Sequence, residues 1–383
     1  MTKSTAKSVH FINLPDAAPG THRAITVHKY GRVGARPKVY IQAGIHADEY
    51  PGMLVAHHLV RLLDIAAARD AIRGEIILVP AANPIGLAQF ANDRHSGRFD
   101  MSGTGNFNRN WPHLGAEIAE TVAPLLGDDA AANTSAIRSA LLGAALALKP
   151  KNDAEALKFA LFKLSIDADI VLDMHCDTRA LFHMYTTPAA WPGLTDLASE
   201  LGVRAIFLAE SSGGEAFDEA HTTPWAELAT RFPNRPIPQA CLATTLEFRG
   251  RADVSDDLAS SDAEKIVHFL MRRGIVVGTP GRLPDPVAEA TELTALDCVL
   301  APSTGLVVFK VSLGDQVKAG DVVAEIIDPA IPDPVKARTA VTTRATGLVL
   351  TMRDDPYLRM GDIITYVVGK EPLPRRSASL LND

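Results

Sequence analysis

Cysteine is scarce: Cys176, Cys241 and Cys298 are the three in 383 residues. An odd and small number builds no disulfide framework, which excludes small cross-linked secreted folds and suits a reducing compartment. Long apolar runs are absent too. None approaches the roughly 18 residues that a bilayer crossing needs. The opening Met1–Ser8 stretch lacks the apolar core of a secretory signal. These absences predict a cytoplasmic protein with no membrane partner. There is no excess of positive charge: 38 Lys and Arg against 45 Asp and Glu leave −7, a poor balance for gripping nucleic acid. No internal repeat and no low-complexity tract is present. What remains is a chain with 47% hydrophobic and 22% charged residues, an ordinary globular composition. At about 150 residues per domain, two or three domains are expected.

Strand-like and helix-like segments alternate through the first part. The spacing predicts strands over 22–30, 38–43, 75–81, 168–174, 204–208 and 241–248. Helices are expected over 51–68 and 255–273, with two or three more within 115–166. Residues 85–112 carry no period and read as a long loop, which in a compact domain is usually functional. The alternation predicts an α/β fold with a mostly parallel or mixed sheet and helices on both faces. Near Gly278 the pattern changes. Pro280, Pro284 and Pro286 read as a linker, and 292–370 shows short strands and turns such as Leu313-Gly314-Asp315. The expected division is a main domain over 1–286, then a small all-β appendage and C-terminal tail over 287–383.

Four stretches carry chemistry. Gly44-Ile45-His46-Ala47-Asp48-Glu49 lies between a buried strand and a helix, where open α/β sheets bind ligands. His46 and Glu49 sit three apart across that turn and can meet at one point, as two ligands of a metal would. A strand-end histidine and a helix-start glutamate are the structural alternative. Asp173-Met174-His175 ends another apolar strand, so His175 reaches the same sheet edge, with Asp173 on its own strand face. In the long loop, Asn108 and Arg109 can hold a carboxylate, and Arg98 or Arg94 can stabilise an oxyanion. Solvated loop charges are the alternative there. Glu247 is a lone carboxylate near the end of an apolar strand, costly unless used. It is either a general base or half of a surface pair with Arg249.

In this order the motifs resemble the zinc carboxypeptidase superfamily, and within it the succinylglutamate desuccinylase/aspartoacylase branch. The resemblance covers about residues 38–275 plus the β appendage. It implies one Zn²⁺ per chain on His46, Glu49 and His175. Asn108 and Arg109 would hold the substrate's α-carboxylate, Glu247 would be general base and acid, and Arg98, with Arg94 second, would face the oxyanion. One departure stands at Asn106, where many relatives carry an aspartate that supports the first histidine. An amide can still accept the imidazole N–H. Trp111, following Asn-Arg-Asn, is more peptidase-like.

The implied activity is removal of an acyl group from an N-acyl amino acid. A carboxypeptidase acting on a short peptide is the enzyme rival, and a non-catalytic binding protein is the reading from another class. A homo-oligomer stays open. Tyr185 is expected to line the pocket or pack in the core. His57, His58, His183 and Cys176 are expected to be structural. The appendage resembles a biotinyl/lipoyl-type module, but no lysine stands at the expected turn and Lys336 comes late, so a structural role is expected.

Overall fold

The computed structural model describes residues 7–374. Residues 1–6 of the opening segment and the 375–383 tail lie outside the described residues. The centre is a mixed nine-stranded sheet. Its spatial order is Lys7–Asn13, Ala24–Gly31, Glu75–Val79, Lys38–Ala43, Ile170–Asp177, Leu242–Gly250, His183–Thr186, Ala205–Leu208 and Ala290–Glu292. The four strands from Glu75–Val79 to Leu242–Gly250 run parallel. Antiparallel neighbours flank them at Ala24–Gly31 and His183–Thr186.

Alternation along these strands sends side chains to two separate cores. Val39, Ile41, Leu172 and Met174 pack on one face against Val55, Leu59 and Leu63 of the Pro51–Ala68 helix and against Ile266, Phe269 and Leu270 of the Asp256–Arg272 helix. Tyr40 and Val171 face the other way, with Trp111, Phe162, Phe217 and Trp225. The helices Gly115–Val122, Ala130–Ala147, Asp153–Ser165 and Phe217–Arg231 build that second layer. Strands buried on both faces read as continuous apolar runs, which is why they were legible.

Several expectations need adjustment. The fifth strand in space is Ile170–Asp177, so His175 stands inside it rather than past its end. The 85–112 loop is more ordered than its lack of period suggested. It holds a short helix, Pro84–Leu87, and two tight hairpins, Phe90–Ala91 with Arg94–His95 and Phe99–Asp100 with Gly105–Asn106. Three elements carried no recognised signal. Strand Lys7–Asn13 is an edge strand exposed on most positions. Helix Thr195–Leu201 has two turns at most. Helix Phe217–Arg231 contains Pro224, a residue that argues against helix in a sequence pattern.

The β appendage consists of two four-stranded sheets. They enclose a core with Val299, Val323, Ile326, Val349, Leu358, Ile364 and Val367. It is stitched to the main body where Arg179–Ala180 pairs with Thr351–Met352. Leu181 N also donates to Leu350 O at 3.0 Å. Strand Ala290–Glu292 still belongs to the main sheet, at the edge beside Ala205–Leu208. No helix among the described residues is long and apolar enough to cross a membrane.

Candidate metal centre

The chain leaves strand Lys38–Ala43 through Gly44, whose φ of +71° suits glycine. A Cβ there would also meet Met53 Sδ at 2.9 Å. This tight turn drops His46 and Glu49 over the sheet's C-terminal edge, and Pro51 then starts the helix. His175 arrives from the neighbouring strand. The ligating atoms of His46, Glu49 and His175 all lie within 4.8 Å of one another, and all three residues are buried.

Each imidazole turns Nδ1 toward the Glu49 carboxylate. His46 Nδ1 lies 2.9 Å from Glu49 Oε1, and His175 Nδ1 lies 2.8 Å from Oε2. The other ring nitrogens are fixed from behind. His46 Nε2 donates to Asn106 Oδ1 and His175 Nε2 donates to Asp173 Oδ2, each at 2.8 Å. Acceptors on the far nitrogens set the tautomer and leave Nδ1 free to bind a cation. The expected acceptance by the Asn106 amide is therefore present. Behind His175 the chain of bonds continues: Gln42 Nε2 donates to Asp173 Oδ1 at 2.9 Å, and Tyr40 Oη donates to Gln42 Oε1 at 2.8 Å. Gln42 was missed. Its signal was a polar residue inside an otherwise apolar strand.

Burial alone would push protons off His175, but Asp173 and Glu49 outweigh it and hold the imidazole well above its usual range. Burial likewise opposes charge on Glu49, and the two histidines outweigh it and pull the carboxyl well below its usual range. An arrangement that stabilises a carboxylate by surrounding it with proton-sharing imidazoles is one a divalent cation fits. Two imidazole nitrogens and one carboxylate oxygen are the donor set of a catalytic zinc site, with one position left for water or substrate.

Glu247 stands directly opposite His175 in the parallel pairing of their strands. Its Oε2 is hidden from solvent and accepts no hydrogen bond among the described residues. Burial, then repulsion from Glu49 and Asp177, raises its pKa to about 8, against the pull of His175 and Arg98. The surface pair with Arg249 does not form. The pairing slips between Glu247 and Gly250, Arg249 takes a φ of +62°, and its guanidinium bridges to Asp262 instead.

These groups open onto a cavity of about 690 Å³. It gathers His46, Glu49, Arg94, Arg98, Asn108, Arg109, His175, Tyr185 and Glu247 on one lining. Arg98 Nη1 reaches within 3.1 Å of Glu49 Oε1 and 3.2 Å of His46 Nδ1. Arg94 lies exposed on a hairpin at the rim. Asn108 Oδ1 accepts from Trp111 Nε1 at 2.8 Å and Phe217 N at 3.2 Å, so its Nδ2 faces His175. Arg109 Nη1 donates to Asn108 O at 2.9 Å. Its stem lies against Gly214, where a Cβ would come within 2.5 Å of Cδ. Cys176 is buried as expected, yet it borders the cavity and its N–H donates to Glu49 Oε2 at 3.1 Å. His183 is enclosed, with Nδ1 donating to Leu181 O at 2.9 Å. Among lining residues not foreseen are Asp218 and Glu219 on one wall and Arg353 and Tyr366 from the appendage.

A mixed α/β sheet carries a buried His-Glu-His cluster that could hold a metal ion, and a small β unit faces it. The chain belongs to the succinylglutamate desuccinylase/aspartoacylase family: that family, described as "Succinylglutamate desuccinylase/Aspartoacylase catalytic domain", matches residues 35–271. Named members are deacylases, which hydrolyse amide bonds. One relative, N-alpha-acetyl-L-2,4-diaminobutyric acid deacetylase of Halomonas elongata, is 26% identical over 347 residues, covering 87% of this chain and 82% of its own. A succinylglutamate desuccinylase/aspartoacylase family protein of Shewanella amazonensis SB2B superposes with a TM-score of 0.81 at 26% identity, over 95% of this chain and 99% of that one. The product-bound ectoine utilization protein of Ruegeria pomeroyi shares the fold, with a TM-score of 0.67 at 17% identity over 95% of each chain.

Proposed function

We propose that this protein is a zinc-dependent amidohydrolase that removes the acyl group from an N-acyl amino acid. The observation that carries the reading is one cavity holding the His46-Glu49-His175 cluster beside Glu247, a hidden carboxylate with an unused oxygen. Zinc held by the three residues would polarise the amide carbonyl and acidify water, whose pKa falls to about 7 on such an ion. Glu247 takes the proton of the attacking water. Its raised basicity suits a base that works near neutrality. The same oxygen then passes the proton to the nitrogen of the leaving amino acid. Arg98 offers its guanidinium to the charge that develops on the carbonyl oxygen. Asn108 Nδ2 and Arg109 hold the α-carboxylate, a forked donor set for a planar anion. Tyr185 and Arg94 line the approach.

Two features favour deacylation over the carboxypeptidase reading. Trp111, the peptidase-like residue, does not line the cavity; it is a buried strut that fixes Asn108. The appendage also contributes Arg353, Asp354, Asp355 and Pro356 to the wall, which supports a bounded site over an open peptide groove. The test is a hydrolysis screen of zinc-loaded protein over N-acetyl, N-succinyl and N-aroyl amino acids beside dipeptides. Free amino acid should be released from an acyl compound. Faster cleavage of dipeptides would replace this reading with the peptidase.

A further inference from the structure

The proposed chemistry leaves one buried cation without a task. Lys158 stands on the Asp153–Ser165 helix, is 7% exposed and does not line the cavity. We propose that Lys158 is the positioning residue of the carboxylate clamp: its ammonium fixes the peptide between Arg109 and Asn110 and so aims the Arg109 guanidinium. This inference rests on the deacylase reading and adds to it a residue that acts through another.

Lys158 Nζ donates to Arg109 O at 2.7 Å and reaches Asn106 O at 3.5 Å. Arg109 N closes the same turn on Asn106 O at 3.3 Å. The next residue, Asn110, takes a φ of +55°, a conformation that surrounding contacts must hold. Its N–H donates to Gly214 O at 2.7 Å. The peptide that links Arg109 to Asn110 is thus pinned at both polar ends, its carbonyl by Lys158 and its N–H by Gly214. Gly214 is also the residue against which the Arg109 stem lies. One set of contacts therefore fixes the backbone and the side chain of Arg109 together.

A brace for a loop does not need a charge. A neutral donor would hold a carbonyl without the cost of burying an ammonium. Both acceptors of Lys158 are backbone carbonyls. Burial lowers its pKa and outweighs the pull of Glu155 on its own helix and of Asp100 on the Phe99–Asp100 strand. The charge is accounted for by an anion that comes to Arg109. A second cation behind the guanidinium strengthens the attraction for a carboxylate in a site shielded from water.

The test compares zinc-loaded wild type, Lys158→Met and Lys158→Arg on the best acyl amino acid of the hydrolysis screen and on its α-amide. In Lys158→Met the preference for acid over amide should fall roughly tenfold, through KM, while kcat on the amide and zinc content hold. Lys158→Arg keeps a charged donor and should recover part of the preference. A lysine that only braces the loop would lower the melting temperature and leave the preference unchanged; that result overturns the proposal. If neither variant folds, the wild-type protein decides. Its acid preference should fall as pH rises from about 8.5 toward the usual lysine pKa of about 10.4, because burial makes Lys158 lose its proton early. A constant preference over that range overturns the role. Should no acyl amino acid be hydrolysed, the deacylase reading fails instead. Calorimetry of N-acetyl-L-alanine against its amide then decides: an acid preference in wild type that Lys158→Met loses supports the role. A preference unchanged in the variant, or absent from wild type, overturns it.

Discussion

The two histidines of the metal centre are held in different ways. His175 stands inside a strand of the central sheet, backed by the charged Asp173 and then by the buried pair Gln42 and Tyr40. His46 sits in a turn and is backed by the neutral amide of Asn106, which belongs to a small hairpin of the 85–112 segment. One half of the centre is part of the core; the other leans on a loop. Glu247 belongs to the first half, opposite His175. Arg98, Asn108 and Arg109 belong to the second. On the proposed mechanism the sheet half carries the general base, and the loop half carries the contacts to the oxyanion and the α-carboxylate. Proton transfer depends on fixed distances, which a sheet provides, whereas recognition varies with loops.

The strand half should show the largest single effect. Glu247→Gln keeps the shape but removes the base, so kcat should fall by roughly 10²- to 10⁴-fold. Zinc content by elemental analysis should stay near one per chain. A variant with zinc bound and near-normal turnover would move the base elsewhere, with Asp177, which also lines the cavity, next in line.

Making the strand half resemble the loop half comes second. Asp173→Asn leaves both histidines backed by amides and should weaken zinc binding about 10- to 100-fold in a chelator competition. Unchanged affinity would mean that the charge behind His175 contributes nothing.

On the loop half, Arg109→Lys should lower kcat/KM roughly tenfold or more by losing the forked geometry, while zinc content holds. Wild-type protein should also handle amidated substrates poorly. Equal rates on acid and amide forms would remove Arg109 from carboxylate binding.

The smallest change runs the comparison in reverse. Asn106→Asp gives His46 a charged partner like that of His175 and should tighten zinc by a few-fold, up to about tenfold. Looser binding would show that the hairpin holds His46 by shape and not by charge.

Much of the strand half was legible because its physics is local. Lys38–Ala43 and Pro51–Ala68 match their expected bounds, since a mostly apolar, β-branched strand followed by a 3.6-period stripe with Pro at its start has few alternatives. The pairing of Asp173 with His175 followed from the two-residue strand period alone. The loop half was read by motif and not by shape. Arg98 was ranked over Arg94 by the resemblance, but its contact with Glu49 depends on the fold of two hairpins that no periodicity announces. Helix Phe217–Arg231 was hidden by Pro224. With it went any notice of Asp218 and Glu219.

The sequence by itself determined the parallel strands, the two helical layers and the residues that cluster at the strand ends, because strand and helix periods and turn residues act over a few positions. Tertiary structure alone decided that Glu247 faces the cavity and not Arg249, that Gln42 and Tyr40 stand behind Asp173, and that Arg353 and Tyr366 of the appendage reach the same cavity as Asp218. Those relations join residues far apart in the chain. They depend on strand register, a bulge and the docking of one β unit on another, and no local pattern encodes such distances.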